Sequence, residues 1–167
     1  MRVETIEEHH VEAERYEVAP AAADTINSAL DAQRRVIAVG TTTTRTLEAV
    51  AAAGAGRIAA GSGTTDLFIH PGFAFRVIGG LLTNFHLPKS SLLMLVAAFA
   101  GRQRVLAAYA EAVKEQYRFY SYGDAMMTID ATSSSRTQTS EMPPSAAISP
   151  SRNLTPSRTM PAFNQNS

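Results

Sequence analysis

The sequence predicts an α/β fold built around a parallel sheet, and two observations carry this prediction. The apolar runs VIAV at residues 36–39 and LFIH at residues 67–70 are short and continuous, which is typical of strands covered on both faces. Segments with helical periodicity lie between and after these runs. Alternation of strands with helices favours the α/β class.

The first elements along the chain are a strand, a helix and a second strand. ERYEV, at residues 14–18, alternates like a strand. Residues 20–33 predict a helix that Pro20 begins and in which Ile26 and Leu30 lie four residues apart. Gly40 then ends the VIAV strand, and residues 41–54 predict a second helix.

A strand, a glycine, a hydroxyl-rich turn and a helix form the geometry in which α/β sheets bind ligands at the carboxyl ends of strands. The turn TTTT has neither the Gly–Lys–Ser/Thr ending of a Walker A loop nor a dinucleotide fingerprint. Arg45 and Glu48 lie three residues apart on the helix and so share one face. They are either part of such a ligand site or a surface ion pair of little energetic value.

The middle of the chain predicts short strands and turns. Residues 53–66 are rich in Gly and Ala, which indicates a loop or a weak strand with turns. LFIH predicts a buried strand closed by Pro71 and Gly72. FAFRVI and GLLTNF predict two short strands joined as a hairpin at Gly79 and Gly80.

The stretch TNFHLPKSSLLMLVAAFAG, at residues 83–101, joins a polar cluster to an apolar helix. Ser90 or Ser91 is a good N-cap, because a serine oxygen accepts from the free N–H groups of the first turn. His86 and Lys89 come just before this helix, and a helix N-terminus beside a cation favours an anionic ligand. The alternative is a capped core helix that follows a loop.

The last predicted elements are an amphipathic helix at residues 102–116 and the aromatic segment YRFYSYGDAMM. The aromatic rings around Arg118 either stack nucleic-acid bases or form a packed strand. From residue 128 onward Ser, Thr and Pro dominate and apolar periodicity vanishes, so we predict a disordered tail over residues 128–167.

Composition narrows the class of protein. The 167 residues suit one domain with an appendage, and a net charge of +0 gives no global argument for nucleic-acid binding. The chain has no Cys, and its four His lack the spacing of a zinc protease, so we expect no metal. We see no signal peptide or membrane span and expect a soluble cytoplasmic protein.

The group Glu7, Glu8, His9 and His10 is either a solvated polar turn or a proton shuttle.

Five segments along the chain carry a resemblance to a known family. In order they are EEHH, RRVIAVGTTTTRTLE, TDLFIHPG, LLTNFHLPKSSLLMLVAAFAG and YRFYSYGDAMM. Together they closely resemble the C-terminal half of the S-adenosylmethionine:tRNA ribosyltransferase-isomerases of queuosine biosynthesis. The resemblance implies that residues 1–127 form a layered α/β/α domain with a mostly parallel sheet, incomplete at its N-terminal side.

The resemblance implies a tRNA-modifying enzyme. Such an enzyme moves the ribosyl group of S-adenosylmethionine onto 7-aminomethyl-7-deazaguanine in a tRNA with a GUN-type anticodon. The product is epoxyqueuosine, and adenine and methionine leave. S-adenosylmethionine is therefore expected as a co-substrate, and the family is expected to be monomeric and without a membrane partner.

The implied chemistry indicates which matched residues act. A proton must be removed beside the sulfonium and another must be given to the departing adenine, which is general acid–base work. The matched imidazoles that can do this near neutral pH are His86, His9 and His10. Expected substrate-binding residues are Thr41, Thr42, Arg45, Glu48, Asp66, Asn84 and Asp124. Expected tRNA-binding residues are Lys89, Arg118 and Tyr120.

The sequence also departs from the family pattern. The family's N-terminal half, with an inserted small β-barrel and a Gly-rich motif before EEHH, has no counterpart here. The family chain usually ends in an apolar strand, whereas residues 128–130 lead into the tail. Three alternatives follow: part of an enzyme active only in the complete fold, a module that binds tRNA or an adenosyl ligand without turnover, and an inactive fragment.

Overall fold

The computed structural model describes residues 11–121 and 123–130, which contain both helices and strands. In chain order the elements are β1 (Glu14–Val18), α1 (Pro20–Asp31), β2 (Val36–Val39), α2 (Thr41–Ala53), β3 (Gly61–Thr65), β4 (Ile78–Asn84), α3 (Ser91–Ala100), α4 (Arg102–Lys114) and β5 (Ala125–Ile129). The predicted α/β class is confirmed, and each predicted helix corresponds to one of the four observed helices.

The strands form two sheets within the described residues. A three-stranded sheet has the order β2-β4-β5, in which β2 runs parallel and β5 antiparallel to β4, and β1 pairs antiparallel with β3. Parallel pairing is therefore limited to β2 and β4, so the sheet is more mixed than the sequence indicated. The reason lies in the connection: α3 and α4 are bent by 114° relative to each other and return the chain to the end of β4, where Ala125 pairs with Asn84.

Gly79 and Gly80 lie inside strand β4, so the predicted hairpin at these glycines is wrong. At both positions the absence of a side chain lets a neighbouring residue pack closely against the strand, and neither glycine forms a turn. A Cβ on Gly79 would lie 2.8 Å from Arg35 Cγ, and one on Gly80 would lie 3.2 Å from Ile37 Cγ1. A glycine inside a strand often marks such a close approach.

The predicted strand at LFIH is also wrong, whereas the weak strand that was one alternative for residues 53–66 is confirmed as β3. Ile69 is still buried, which explains the apolar run, but residues 67–70 pair with no strand of the described structure. The sequence GSGTT of β3 has low intrinsic strand preference and is held by its pairing with β1. A Cβ on Gly63 would lie 2.8 Å from the hydroxyl of Tyr16, so glycine here makes room for that ring.

Local sequence explains where helices α2 and α3 begin. Gly40 has a φ of 90°, a conformation that favours glycine, and it separates β2 from α2. The Ser90 side chain accepts a hydrogen bond from the Leu93 N–H at 3.1 Å, which confirms Ser90 as the N-cap of α3. Gly101 has a φ of 86° and lies between α3 and α4.

The core lies between the helices and one face of the three-stranded sheet. Its most buried members include Ala38, Ala51, Leu81, Leu95 and Val96. The alternate side chains of β2, Ile37 and Val39, are 46% and 65% exposed, so the opposite face of β2 is open in the described structure.

Several sequence predictions concern residues at the ends of the chain. Strand β5 includes Thr128 and Ile129, and the rest of the predicted tail, from residue 131, lies outside the described residues. His9 and His10 also lie outside them. Within the described residues no single helix is long and apolar enough to cross a membrane, although the bent pair α3–α4 together meets that length and composition.

Candidate functional site

A cleft of about 400 Å³ lies at the carboxyl ends of the parallel strands β2 and β4. This volume lies within the range of small-molecule sites, and the position is the one at which open α/β sheets bind ligands. The polar residues that line the cleft are Thr41, Thr42, Thr43, Thr83, Asn84, His86, Ser90 and Ser121. Val39, Leu87, Leu92 and Tyr120 add apolar surface.

Two helix N-termini meet at this cleft. The first residues of α2, Thr41 to Thr43, line it, and Gly40 has no side chain that caps their N–H groups. Ser90 and Leu92 bring the N-terminus of α3 to the same space. Free N–H groups and the positive end of each helix dipole favour a negatively charged ligand group here.

His86 is held at the cleft by two hydrogen bonds. Its Nε2 lies 2.9 Å from Thr83 Oγ1, and its backbone N–H donates to the Tyr109 hydroxyl at 2.7 Å. The residue is partly buried, and burial lowers the pKa of the imidazole below its usual value of 6.5. His86 is therefore a neutral imidazole at physiological pH.

An aromatic cluster supports the segment that carries His86. Phe85 packs against Tyr109 at 5.3 Å, against Tyr117 at 5.8 Å and against Phe119 at 5.3 Å between ring centroids. Burial raises the pKa of Tyr109, so its hydroxyl stays protonated. Two of the aromatic rings that suggested base stacking, Tyr117 and Phe119, are thus used in internal packing, although residues 117–119 do not form a strand.

The structure brings five of the predicted site residues together at the cleft. These residues are Thr41, Thr42, Asn84, His86 and Tyr120. Asn84 Nδ2 lies 3.5 Å from the Gly123 carbonyl oxygen, and the Tyr120 side chain is 57% exposed. Tyr120 has a φ of 73°, and its backbone N–H donates to the Phe85 carbonyl at 3.0 Å. That bond places the exposed Tyr120 ring beside the His86 segment.

Arg45 and Glu48 lie away from the cleft lining, inside the fold. Arg45 pairs with Glu14, and Glu48 accepts from the N–H groups of Arg76, Val77 and Ile78 at 2.8, 3.0 and 3.0 Å. Arg45 is 3% exposed and Glu48 is 0% exposed. The alternative of a surface ion pair between them is therefore wrong, because each bonds a different part of the chain.

The remaining predicted residues lie outside the lining of the cleft. Asp66 is exposed after β3, and Lys89 is exposed in the turn before Ser90 with a φ of 63°. Asp124 accepts from the Arg118 N–H at 2.8 Å, and this hydrogen bond, helped by the Arg118 guanidinium, lowers the pKa of its carboxyl group. Arg118 and Asp124 thus close a loop next to Tyr120.

Sequence reasoning missed the roles of Thr83 and Tyr109. Thr83 belongs to the same polar cluster as His86, so its spacing of three residues was a usable signal. Tyr109 belongs to the apolar stripe of α4, and nothing in that pattern indicates that its hydroxyl reaches the His86 backbone. Within residues 11–121 and 123–130, no group of three His, Asp or Glu side chains is arranged to hold a metal ion.

An α/β domain with an open, hydroxyl-lined cleft at the carboxyl ends of parallel strands belongs to the class of ligand-binding α/β domains. Comparison with known proteins defines the family. The family described as "Queuosine biosynthesis protein" matches residues 1–128, and the chain belongs to this family. The family resemblance seen in the sequence is thereby confirmed.

Characterised relatives show how much of a full-length protein this chain covers. It is 60% identical over 129 residues to the S-adenosylmethionine:tRNA ribosyltransferase-isomerase of Moorella thermoacetica, a match that covers 77% of this chain and 37% of the relative. The protein of the same name from Heliobacterium modesticaldum is 58% identical, with 77% of this chain and 38% of the relative covered. The chain thus spans little more than a third of the length of these relatives.

A solved structure agrees with the fold. The chain superposes on the S-adenosylmethionine tRNA ribosyltransferase of Thermotoga maritima with a TM-score of 0.62 and 48% sequence identity. The superposition covers 68% of this chain and 39% of that chain. The described α/β domain is therefore similar to part of that protein.

Proposed function

We propose that this chain supplies the adenosyl-binding cleft of a tRNA ribosyltransferase-isomerase. In the proposed reaction the ribosyl group of S-adenosylmethionine is transferred to 7-aminomethyl-7-deazaguanine in a tRNA and rearranged to epoxyqueuosine, with loss of adenine and methionine. The single observation that carries the proposal is the meeting of Thr41, Thr42, Asn84 and His86 in one cleft in a chain of this family.

The residues of the cleft fit the parts of S-adenosylmethionine. The exposed ring of Tyr120 offers a face on which adenine can stack. Asn84 and the threonine hydroxyls offer partners for ribose hydroxyl groups. The free N–H groups at the start of α2 suit the carboxylate of the methionine part.

His86 is our candidate for the group that donates a hydrogen bond to the departing adenine as negative charge develops on it. It lies in the lining of the cleft, and its lowered pKa keeps it uncharged. A neutral imidazole can act as an electrophile toward a leaving group on which negative charge develops. Our candidates for the base that removes the proton beside the sulfonium are His9 and His10, the other imidazoles of the matched motifs.

The tRNA is proposed to approach from the side of Lys89, Arg118 and Tyr120. Lys89 and Arg118 are exposed cations near the cleft mouth, where they suit phosphate groups of the anticodon loop. Arg45 and Glu48 are proposed to act indirectly, because their internal bonds fix α2 and the start of β4. Asp66 and Asp124 lie outside the lining, and Asp124 supports the loop that carries Tyr120.

A second candidate function is binding without turnover. The observation that favours it is the length of the match, which covers only 37% of the Moorella thermoacetica relative. In that case the cleft binds S-adenosylmethionine or its adenosyl part, and no transfer to tRNA takes place unless the rest of the enzyme is present.

Calorimetric titration with S-adenosylmethionine and an epoxyqueuosine assay on a tRNA stem-loop separate the two candidates. The assay uses this chain alone and a Moorella thermoacetica relative in which residues 1–128 of this chain replace the matched segment. We expect Thr42→Val to weaken binding by about tenfold, since one lost hydrogen bond is worth about 1 kcal/mol. Thr64→Val on exposed strand β3 is the matched control.

Three outcomes are informative. Product from the hybrid enzyme and weaker binding by Thr42→Val support the enzymatic proposal. Binding without product in either protein supports the binding module. If neither protein binds S-adenosylmethionine, or if Thr42→Val and Thr64→Val behave alike, the assignment of the cleft is wrong.

A further inference from the structure

The contact between Thr83 and His86 leaves one imidazole nitrogen for a ligand. Thr83 Oγ1 lies 2.9 Å from His86 Nε2. Within the described part of the chain Nδ1 of His86 has no hydrogen-bond partner, while the residue itself lines the cleft. Nδ1 is therefore the imidazole nitrogen that is still available to a ligand in the cleft.

Burial of Thr83 decides which partner donates in this hydrogen bond. Thr83 is 7% exposed, and the hydrogen bond to His86 is the one that its hydroxyl makes among residues 11–121 and 123–130. If His86 Nε2–H donated to Thr83, the threonine hydroxyl hydrogen would have no acceptor among the described residues and would have to donate to solvent in the cleft. Buried donors are almost always paired, and an unpaired one costs about 1–3 kcal/mol. The arrangement that pairs the Thr83 hydroxyl hydrogen within the protein has this hydroxyl donating to a bare Nε2, which leaves the Nδ1–H of His86 for a ligand.

We infer that Thr83 is a positioning residue that selects the tautomer of His86, with the ring proton on Nδ1 and directed to the cleft. This inference rests on the proposed function for its catalytic meaning, because it makes His86 a hydrogen-bond donor, not a base, toward the substrate. The Thr83 hydroxyl also stabilises the negative charge that builds on the ring when Nδ1–H is donated. The tautomer at a histidine is set by the bond that its other nitrogen makes.

The hydrogen bond from the His86 backbone N–H to Tyr109 also helps to hold the imidazole in this orientation. Tyr109 holds the backbone N–H of His86 at 2.7 Å, and the Tyr109 ring packs at 5.7 Å from Phe119. Tyr109 of α4 holds the backbone of His86, and Thr83 of β4 holds Nε2. A rotation of the imidazole that exchanges the two nitrogens would therefore break the hydrogen bond to Thr83. His86 is also uncharged near neutral pH, because burial lowers its pKa.

The experiment is a long-range ¹H–¹⁵N correlation spectrum of the chain labelled with ¹⁵N-histidine, recorded near pH 8, above the ordinary histidine pKa of about 6.5. The His86 signals are assigned by their loss in His86→Asn. We expect a protonated Nδ1 and a bare Nε2. Thr83→Ser keeps the hydroxyl and should keep this pattern, whereas Thr83→Val removes the hydroxyl and should shift His86 toward the Nε2–H form.

A protonated Nε2 in the unchanged chain overturns the inference, as does a folded Thr83→Val variant with an unchanged His86 pattern. If Thr83→Val fails to fold, the spectra of the unchanged chain and of Thr83→Ser still test the inference, because the inference requires an unprotonated Nε2 in both proteins. The spectrum needs no substrate. A chain with Nδ1 protonated that fails to bind S-adenosylmethionine therefore contradicts the proposed function and leaves the tautomer assignment intact.

Within the hybrid enzyme, Thr83→Val should lower kcat by about tenfold or more and change KM for S-adenosylmethionine much less. Thr83→Ser should restore most of kcat. If Thr83→Val and Thr83→Ser lowered kcat equally, this result would contradict a role for the Thr83 hydroxyl.

Discussion

Arg45 Nη1 lies 2.8 Å from Glu14 Oε1, so an ion pair joins helix α2 to strand β1. The Arg45 side chain is 4% exposed and that of Glu14 is 33% exposed. Arg45 also donates to the carbonyl oxygens of Glu12, Thr65 and Leu67, which lie at or just beyond the end of the β1–β3 sheet where Glu14 pairs with Thr65. One guanidinium therefore attaches this small sheet to the helix that begins at the cleft.

Glu14→Gln should destabilise the fold, because it removes the anion that balances a buried guanidinium. We expect a loss of about 1–3 kcal/mol in the free energy of unfolding, measured by urea denaturation. The control is Asp31→Asn in the exposed Arg57–Asp31 pair, where little change is expected because both side chains are more than half exposed. Equal effects of the two substitutions would show that the Arg45 pair has no special structural role.

Glu48→Gln should also destabilise the fold. Its two carboxylate oxygens accept three backbone N–H groups at the start of β4, and a glutamine amide nitrogen cannot accept from any of them. The expected loss is about 1–3 kcal/mol, with Glu111→Gln on exposed helix α4 as the control. A stability equal to that of the unchanged chain would mean that β4 forms without this carboxylate.

Stability should depend on pH through His86. Its folded-state pKa is lowered by burial, so the unfolded chain binds more protons near and below pH 6.5. The stability that the neutral His86 contributes to the fold is fully present above the unfolded-state pKa of 6.5. It is lost as pH falls through the folded-state pKa. Urea denaturation between about pH 5 and pH 8 should show a steeper decline for the unchanged chain than for His86→Asn. Parallel curves would contradict the lowered pKa.

Local signals in the sequence were sufficient for the helices and for part of the site. Ser90 caps α3 through a bond to a residue three positions away, and Pro20 begins α1, so neighbouring residues decide both boundaries. The cleft residues at the end of β2 were predicted because a strand, a glycine and a helix follow one another directly.

Long-range contacts explain what the sequence did not indicate. Gly79 and Gly80 suggested a turn, but their role depends on Arg35 and Ile37 in the neighbouring chain segment. Arg45 and Glu48 looked like neighbours on an exposed helix face, and their partners are 31 and about 30 residues away in the chain, at Glu14 and Ile78. Buried pairing of this kind has no periodic signature in one sequence.

The most direct test of the account is the turnover of His86→Asn, compared with His86→Ala, in the hybrid enzyme that carries residues 1–128 of this chain. Asparagine can keep a hydrogen bond in the loop but cannot replace the imidazole ring that donates from Nδ1–H. If the Nδ1–H of His86 stabilises the departing adenine, both substitutions should lower the rate of epoxyqueuosine formation by about 10²–10³-fold. Affinity for S-adenosylmethionine should change much less, because the group acts in the transition state. Near-normal turnover in His86→Asn would contradict the account and would mean that His86 only holds the loop.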